Sequence, residues 1–321
     1  MGNKILVTGG AGFIGSHLTS SLVKDGHNVV VVDDLSSGSM ANLEEVLADV
    51  EFITCDILNK EAIRSVVKDV DVVFHLAAAP EVKESYIIPE KFWKVNVEGT
   101  RSLLEAIREG SSSPIFIFFS SSTVYGEALE VPTKETYGPL RPISVYGASK
   151  LAAEAMTSAY AYSYGFKAVS VRLGNIVGRR SRHGILFDFV NKLRANPKKL
   201  EILGNGRQSK SYLHVSDCVS SVKLIWRSLS EPYDVYNIGS EDRISVDEIA
   251  MVVTEEMGLE GVELVHIPSG PDGAGWVGDV KIMQLDITKL KKLGWTPVKN
   301  SKESIRLAVR ELLSETGWSS K

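Results

Sequence analysis

The chain has 321 residues, 44% hydrophobic and 24% charged, an ordinary globular composition with material for one large or two modest cores, so disorder is not the default. Thirty-six Lys and Arg against 40 Asp and Glu leave a formal charge of −4, so no global basic field recruits nucleic acid or an anionic membrane. The longest apolar runs, such as Ile115 to Phe119, fall far short of the roughly 20 residues of a membrane span. Cys55 and Cys218 lie in no metal-ligand spacing, and the N-terminus enters a strand pattern at Lys4 with neither a signal-peptide layout nor the Ser or Thr that myristoylation would need at Leu6. A soluble, cytoplasmic, metal-free protein is expected.

Short apolar runs then alternate with helical patterns. Ile5–Thr8, Val29–Asp33, Phe52–Cys55, Val70–His75, Ile115–Ser120 and Ala168–Leu173 read as strands, the rhythm of an α/β, Rossmann-type doubly wound parallel sheet with helices on both faces. Near Asn175 the rhythm loosens, with helical patterns at Leu186–Arg194, Ser216–Ser228, Val246–Met257 and Lys302–Ser314. This predicts two domains, 1–174 and a smaller mixed α/β domain over 175–321. The strand-like run Tyr233–Ile238 is a candidate to rejoin the first sheet.

Directly after the first strand, Gly9, Gly12 and Gly15 recur every third residue in Thr8-Gly9-Gly10-Ala11-Gly12-Phe13-Ile14-Gly15. Such glycines allow a tight turn and close approach to a pyrophosphate, which the following helix N-terminus holds. The second strand ends in Asp33, about 20 residues on, where a carboxylate accepts from ribose hydroxyls and repels a 2′-phosphate. The expected cofactor is therefore NAD, with Asp34 as the alternative ribose ligand. Asp56-Ile57 is placed to meet the adenine, although an Asp there is more often a helix N-cap. Leu76, Ala77 and Ala78 follow the fourth strand where a dinucleotide would lie. Asn96 reads as a buried amide bracing the sheet.

Tyr146 and Lys150 stand four apart at a helix start, so both project from one face. A phenol titrates near ~10, and an adjacent ammonium and a cationic nicotinamide favour its ionised form, which makes the pair a proton acceptor. The strand Ile115–Phe119 delivers Ser120 to Gly126 at its C-terminal end, where open α/β sheets bind ligands. A hydroxyl there can hold a substrate oxygen.

Together these segments resemble the extended short-chain dehydrogenase/reductase family along the whole chain, and within it the UDP-glucose 4-epimerases of archaeal type. The resemblance implies Tyr146 as base, Lys150 as its partner and ribose ligand, and Ser121 as the catalytic hydroxyl. Ser122, Thr123 and Tyr146 would face the sugar. It further implies that Asn175 faces the nucleotide-sugar phosphates, that Leu203 to Tyr212, with Lys210, grips nucleotide and diphosphate, and that Gly278-Asp279 lies near the nucleotide. Met283, four residues after Asp279, would border the substituent on sugar carbon 2. The first domain would then bind NAD and the second a nucleotide sugar. Two departures stand out: relatives usually carry Arg where Lys210 stands, and an Arg shortly before Gly-Asp, whereas Gly273–Val277 holds none. Arg179, Arg180, Arg182 or Arg207 could supply that charge, or Arg179 to His183 is a solvated turn. His17, His214, Tyr160, Tyr162 and Tyr164 read as packing groups. The patterns at Thr100–Arg108 and Ala152–Tyr164 could form, as the resemblance implies, a four-helix homodimer interface.

Similar dehydratases place an Asp-Glu pair after the catalytic hydroxyl, and related decarboxylases a Glu at the Thr123 position. Ser122 and Thr123 cannot expel water as a general acid does. The expected activity is NAD-dependent 4-epimerisation of a nucleotide sugar, UDP-glucose/UDP-galactose and their N-acetyl forms being the expected substrates, by way of a 4-keto sugar. The alternatives are another activity of the same family on a nucleotide sugar (dehydratase, decarboxylase or reductase) or a non-catalytic NAD-binding regulator.

Overall fold

The structure, a computed structural model, describes residues 2–269, 275 and 278–318. Its main sheet has seven strands: β1 (Lys4–Thr8), β2 (Asn28–Asp33), β3 (Val50–Thr54), β4 (Val72–His75), β5 (Ile115–Ser121), β6 (Ala168–Leu173) and β7 (Tyr233–Ile238), in the spatial order β7-β6-β5-β4-β1-β2-β3. β1 pairs parallel with β2 and β4, β2 with β3, and β4 with β5. The chain order reverses at β1, so the crevice beyond the ends of β1 and β4 is the topological switch point where such sheets bind ligands.

Both faces of this sheet are covered, which explains its near-continuous apolar strands. Leu6, Val30, Val73, Phe116 and Phe118 face one way, against Ile63 of α2 (Lys60–Val67), Leu103 and Ile107 of α3 (Gly99–Glu109), and Ala153 of α4 (Val145–Tyr164). Phe74 turns the other way, its ring edge-on to Trp226 at 5.6 Å.

Contacts divide the chain into Met1–Val124, Leu140–Arg172 and Val219–Tyr236 on one hand, and Tyr125–Pro139, Leu173–Cys218 and Asn237–Lys321 on the other. The division is discontinuous, and Tyr233–Ile238, the candidate to rejoin the first sheet, is paired in it beside β6. Most of the helix Val215–Ser228 goes with the first unit because it buries Val222, Ile225 and Trp226 there. In the second unit, α5 (Ile185–Ala195), α6 (Val246–Glu256) and α7 (Ser301–Glu315) enclose a separate core with Phe189, Ile249, Val253, Ile305 and Val309. Capping boxes at Ser245/Glu248 and Asn300/Glu303 start α6 and α7. Short strands fill the remainder: Ser209–Lys210 lies between Ile244–Ser245 and Ile282–Met283.

Candidate active site

The turn after β1 is built so that only glycine fits. Gly9 has φ +71°, a Cβ on it would lie 2.7 Å from Ala77 N, and one on Gly15 would lie 2.1 Å from Gly9 O. The helix α1 (Phe13–Lys24) opens at Gly12 with no side-chain cap, and the N–H groups of a first helical turn have no intrahelical partner. Phe13, Ile14 and Gly15 therefore offer a bare, positively polarised terminus to an anion. Asp33 locks onto this cradle: its Oδ2 accepts from Ala11 N at 2.9 Å and its Oδ1 from Leu35 N at 2.8 Å. Each oxygen keeps a lone pair for a ribose hydroxyl. Burial raises the Asp33 pKa, and the two amide donors oppose that. Asp34 is spent on Ser36.

Other expected cofactor residues fare differently. Asp56 is exposed and accepts from Leu58 N, while the N-cap of α2 is Asn59, which accepts from Ala62 N. The capping role foreseen for Asp56 belongs to its neighbour three residues on. The Ile57 side chain is buried in the core, leaving only its backbone for a ligand. Leu76, Ala77 and Ala78 remain partly exposed after β4.

Beneath that segment runs a polar relay through buried Thr8, His75 and Thr100. Ala77 N donates to Thr8 Oγ1, Thr8 Oγ1 lies 2.7 Å from His75 Nδ1, His75 Nε2 lies 2.9 Å from Thr100 Oγ1, and Thr100 donates to Asn96 O. Because the Thr100 proton goes to Asn96, His75 must donate from Nε2 and accept at Nδ1. Burial drives the His75 pKa down to about 3, with the Lys150 charge adding to it, so the ring is neutral. Asn96 lies in a π-helical stretch, Trp93–Glu98. Its side chain accepts from Ala79 N and donates to Ala79 O and Ser149 Oγ. It braces the loop after β4 against α4 instead of the sheet itself.

Ser144 caps α4 by accepting from Gly147 N at 3.0 Å, fixing the turn that carries Tyr146 and Lys150. Lys150 Nζ is buried, donates to Phe119 O at 2.9 Å and sits 5.1 Å over the Phe118 ring. Burial pulls it down to about 7. Tyr146 is pushed up to about 12, chiefly by burial, while a hydrogen bond with Ser121 pulls it back and the Glu81 charge raises it further. Ser121 Oγ accepts from Thr123 N at 3.2 Å and Thr123 Oγ1 at 3.0 Å, which directs its own proton to the phenol oxygen. A cationic partner beside the phenol is what this site needs to poise its base near neutrality. Sequence reasoning missed Glu81 and the buried Glu154. The latter continues the spacing of Tyr146 and Lys150, four residues further on.

In the second unit, Asn175 Nδ2 donates to Ser211 O at 3.0 Å, and Lys210 Nζ pairs with Asp279 Oδ1 at 2.5 Å. Asp279 is therefore the counter-ion of Lys210 in this structure. Met283 is a buried residue of the strand alongside Lys210. Arg179 pairs with Glu315 and its backbone N–H with Glu311, while Arg180 is buried, so this turn is tied to α7 and is not simply solvated. Arg182 and Arg207 are exposed. Gly273–Val277 lies, Gly275 apart, outside the described residues. His214 does more than pack, bonding Ser216 and Glu311. Tyr162 and Tyr164 are exposed but set edge-on to Tyr233 and Tyr160, and Tyr160 donates to Glu105. Among the described residues no three side chains are grouped as metal ligands, and no helix is long and apolar enough to cross a membrane.

The model of the NAD dependent epimerase/dehydratase family matches residues 5–239. A crystal structure of a UDP-galactose 4-epimerase is 41% identical, covering 97% of this chain and 99% of that one, with a TM-score of 0.87. The Thermus thermophilus UDP-glucose 4-epimerase in complex with NAD is 34% identical, covering 96% and 98%, with a TM-score of 0.85. The UDP-glucose 4-epimerase of Streptomyces lividans is 34% identical over 316 residues, 92% of each chain. Other chemistry occurs among the matches: a UDP-N-acetyl-alpha-D-glucosaminuronate decarboxylase of Bacillus cytotoxicus is 32% identical over 302 residues, 91% of this chain and 92% of that one.

Proposed function

The chain belongs to the NAD dependent epimerase/dehydratase family, as an NAD-dependent enzyme and an isomerase, and from that premise we propose that it inverts carbon 4 of UDP-glucose and UDP-galactose and accepts their N-acetyl forms. One observation carries this reading: an intact Tyr146, Lys150 and Ser121 set stands beside neutral Ser122 and Thr123, where a dehydratase needs an acid. The glycine cradle, the uncapped α1 and Asp33 fit NAD, which when bound would supply the hydride acceptor and donor for carbon 4. With substrate bound, Ser121 would turn its one proton from the Tyr146 phenol to the carbon 4 oxygen. Tyr146 removes its proton and later gives it back, and Lys150 steadies the phenolate. After oxidation the 4-keto sugar must turn over to receive hydride on its other face.

Asn175, Lys210, Asp279 and Met283 are our candidates for nucleotide and sugar contacts, supported by the Lys210–Asp279 pairing beside Met283. We place the enzyme in the cytoplasm on its two cysteines, neither of them in a disulfide. The outer faces of α3 and α4, with Tyr162 and Tyr164 exposed, are the proposed homodimer surface, and sedimentation as a monomer at working concentration would count against it.

The test is turnover of a panel of UDP- and dTDP-sugars by purified protein without added reductant. Interconversion at carbon 4, abolished or reduced by roughly 10²–10⁴-fold in Tyr146→Phe, is the expected result. Release of water or carbon dioxide instead would establish the dehydratase or decarboxylase alternative, and NAD binding without turnover the regulator.

A further inference from the structure

A buried ion pair lies under the reactive groups without touching them. Glu154 follows Lys150 by one helical turn, so Tyr146, Lys150 and Glu154 share one face of α4. All three read the end of β5: Tyr146 meets the Ser121 hydroxyl, Lys150 meets Phe119 O, and Glu154 Oε2 accepts from Ser120 Oγ at 2.7 Å. Arg172, at the end of β6, donates from Nε to both Glu154 oxygens at 3.1 Å and from Nη2 to Oε1. Ser120, Glu154 and Arg172 are 3%, 4% and 5% exposed.

A pair so deeply desolvated is weak evidence of stabilisation, because well-packed apolar residues of similar volume often do as well. What it supplies here is geometry: a bidentate fork fixes a carboxylate in plane and direction, and this carboxylate has one remaining duty, the Ser120 hydroxyl. We infer that Glu154 is a positioning residue of the acid–base site, fixing the end of β5 through Ser120 and so holding the Ser121 hydroxyl on the Tyr146 phenol. The role rests on the proposed function for its catalytic meaning, and on the fold alone for its geometry. The charge acting on the phenol is that of Glu81, from the loop after β4, with Phe92 edge-on and Lys150 one helical turn further along α4. Around Glu154 stand Arg172 from β6 and the Tyr233 phenol of β7.

The decisive variant is Ser120→Ala, which leaves the ion pair whole and cuts only its link to the strand. The NAD-loaded protein is labelled with ¹³Cζ-tyrosine, the Tyr146 signal being assigned by its loss in Tyr146→Phe, and followed between about pH 6 and 10, the range over which a perturbed phenol titrates. Ser121→Ala, which deletes the hydroxyl itself, gives the reference displacement. The expected result is a Tyr146 signal displaced in Ser120→Ala in the same direction as in Ser121→Ala, with thermal stability and NAD affinity unchanged. Where nucleotide-sugar turnover is present, the acidic limb of kcat moves up by about half a pH unit or more, as a weakened bond to a phenolate requires. The double variant Glu154→Gln/Arg172→Gln, which keeps an acceptor for Ser120 without buried charge, should restore the wild-type signal if it folds. A Tyr146 signal unchanged by Ser120→Ala at every pH overturns the inference, whether or not the enzyme turns over any sugar. So does one unchanged by Ser121→Ala.

Discussion

The Thr123 hydroxyl donates to Ser121 Oγ at 3.0 Å, and the Thr123 amide does so at 3.2 Å. With both donors aimed at it, Ser121 has one proton to give and one direction to give it in, toward Tyr146. Removing the hydroxyl in Thr123→Val keeps the side-chain shape and frees Ser121 to turn. We expect kcat to fall about tenfold, the scale of one hydrogen bond serving an ionised group, with KM little changed. Steady-state kinetics decides it, and an unchanged kcat would remove Thr123 from the proton path.

Asp33 is held by Ala11 and Leu35 so that it cannot swing aside for a larger cofactor. A 2′-phosphate would meet like charge in a site that is largely shielded from water. NAD should bind at least about tenfold tighter than NADP, and Asp33→Ser should narrow that gap. Titration of both cofactors against both proteins measures it. Equal affinities in the wild type would take Asp33 out of the ribose site.

His75 makes stability depend on pH with a sign that its burial fixes. The ring is neutral in the folded protein down to about pH 3, whereas its ordinary pKa is 6.5. Below that ordinary value the unfolded chain binds a proton which the folded chain refuses, so stability from this group is full above it and declines as pH falls toward the folded pKa. The decline is about 1.4 kcal/mol per pH unit. Denaturant unfolding at several pH values should show this slope, reduced in His75→Asn, which cannot protonate. Identical slopes in the two proteins would contradict it.

Met283 is buried on the strand beside Lys210, a position that suits a pocket wall as well as a packed core residue. Methionine is narrow and flexible enough to yield to an N-acetyl group. UDP-glucose and UDP-N-acetylglucosamine should therefore differ in specificity constant by no more than about a hundredfold. In Met283→Tyr the N-acetyl substrate should lose activity selectively. An equal loss on both sugars, or none, would leave Met283 as packing alone.

The strands of the main sheet, the glycine cradle, Asp33 and the Tyr146/Lys150 pair were legible in the sequence because each is a local pattern: period, turn chemistry or helical spacing decides it within a few residues. Tyr233–Ile238 read as a strand by composition, and its place beside β6 came from the fold. What the tertiary structure decided are relations between residues far apart in the chain. Ser120, Glu154 and Arg172 look ordinary where they stand, and only the packing of α4 over β5 and β6 closes them into one buried group. The same holds for the His75 relay, for Lys210 pairing with Asp279, and for the Val215–Ser228 helix leaving its sequence neighbours for the first unit. Side-chain chemistry is written residue by residue, but burial and partnership are properties of the folded chain. They fix which of these groups carries a proton, and in which direction.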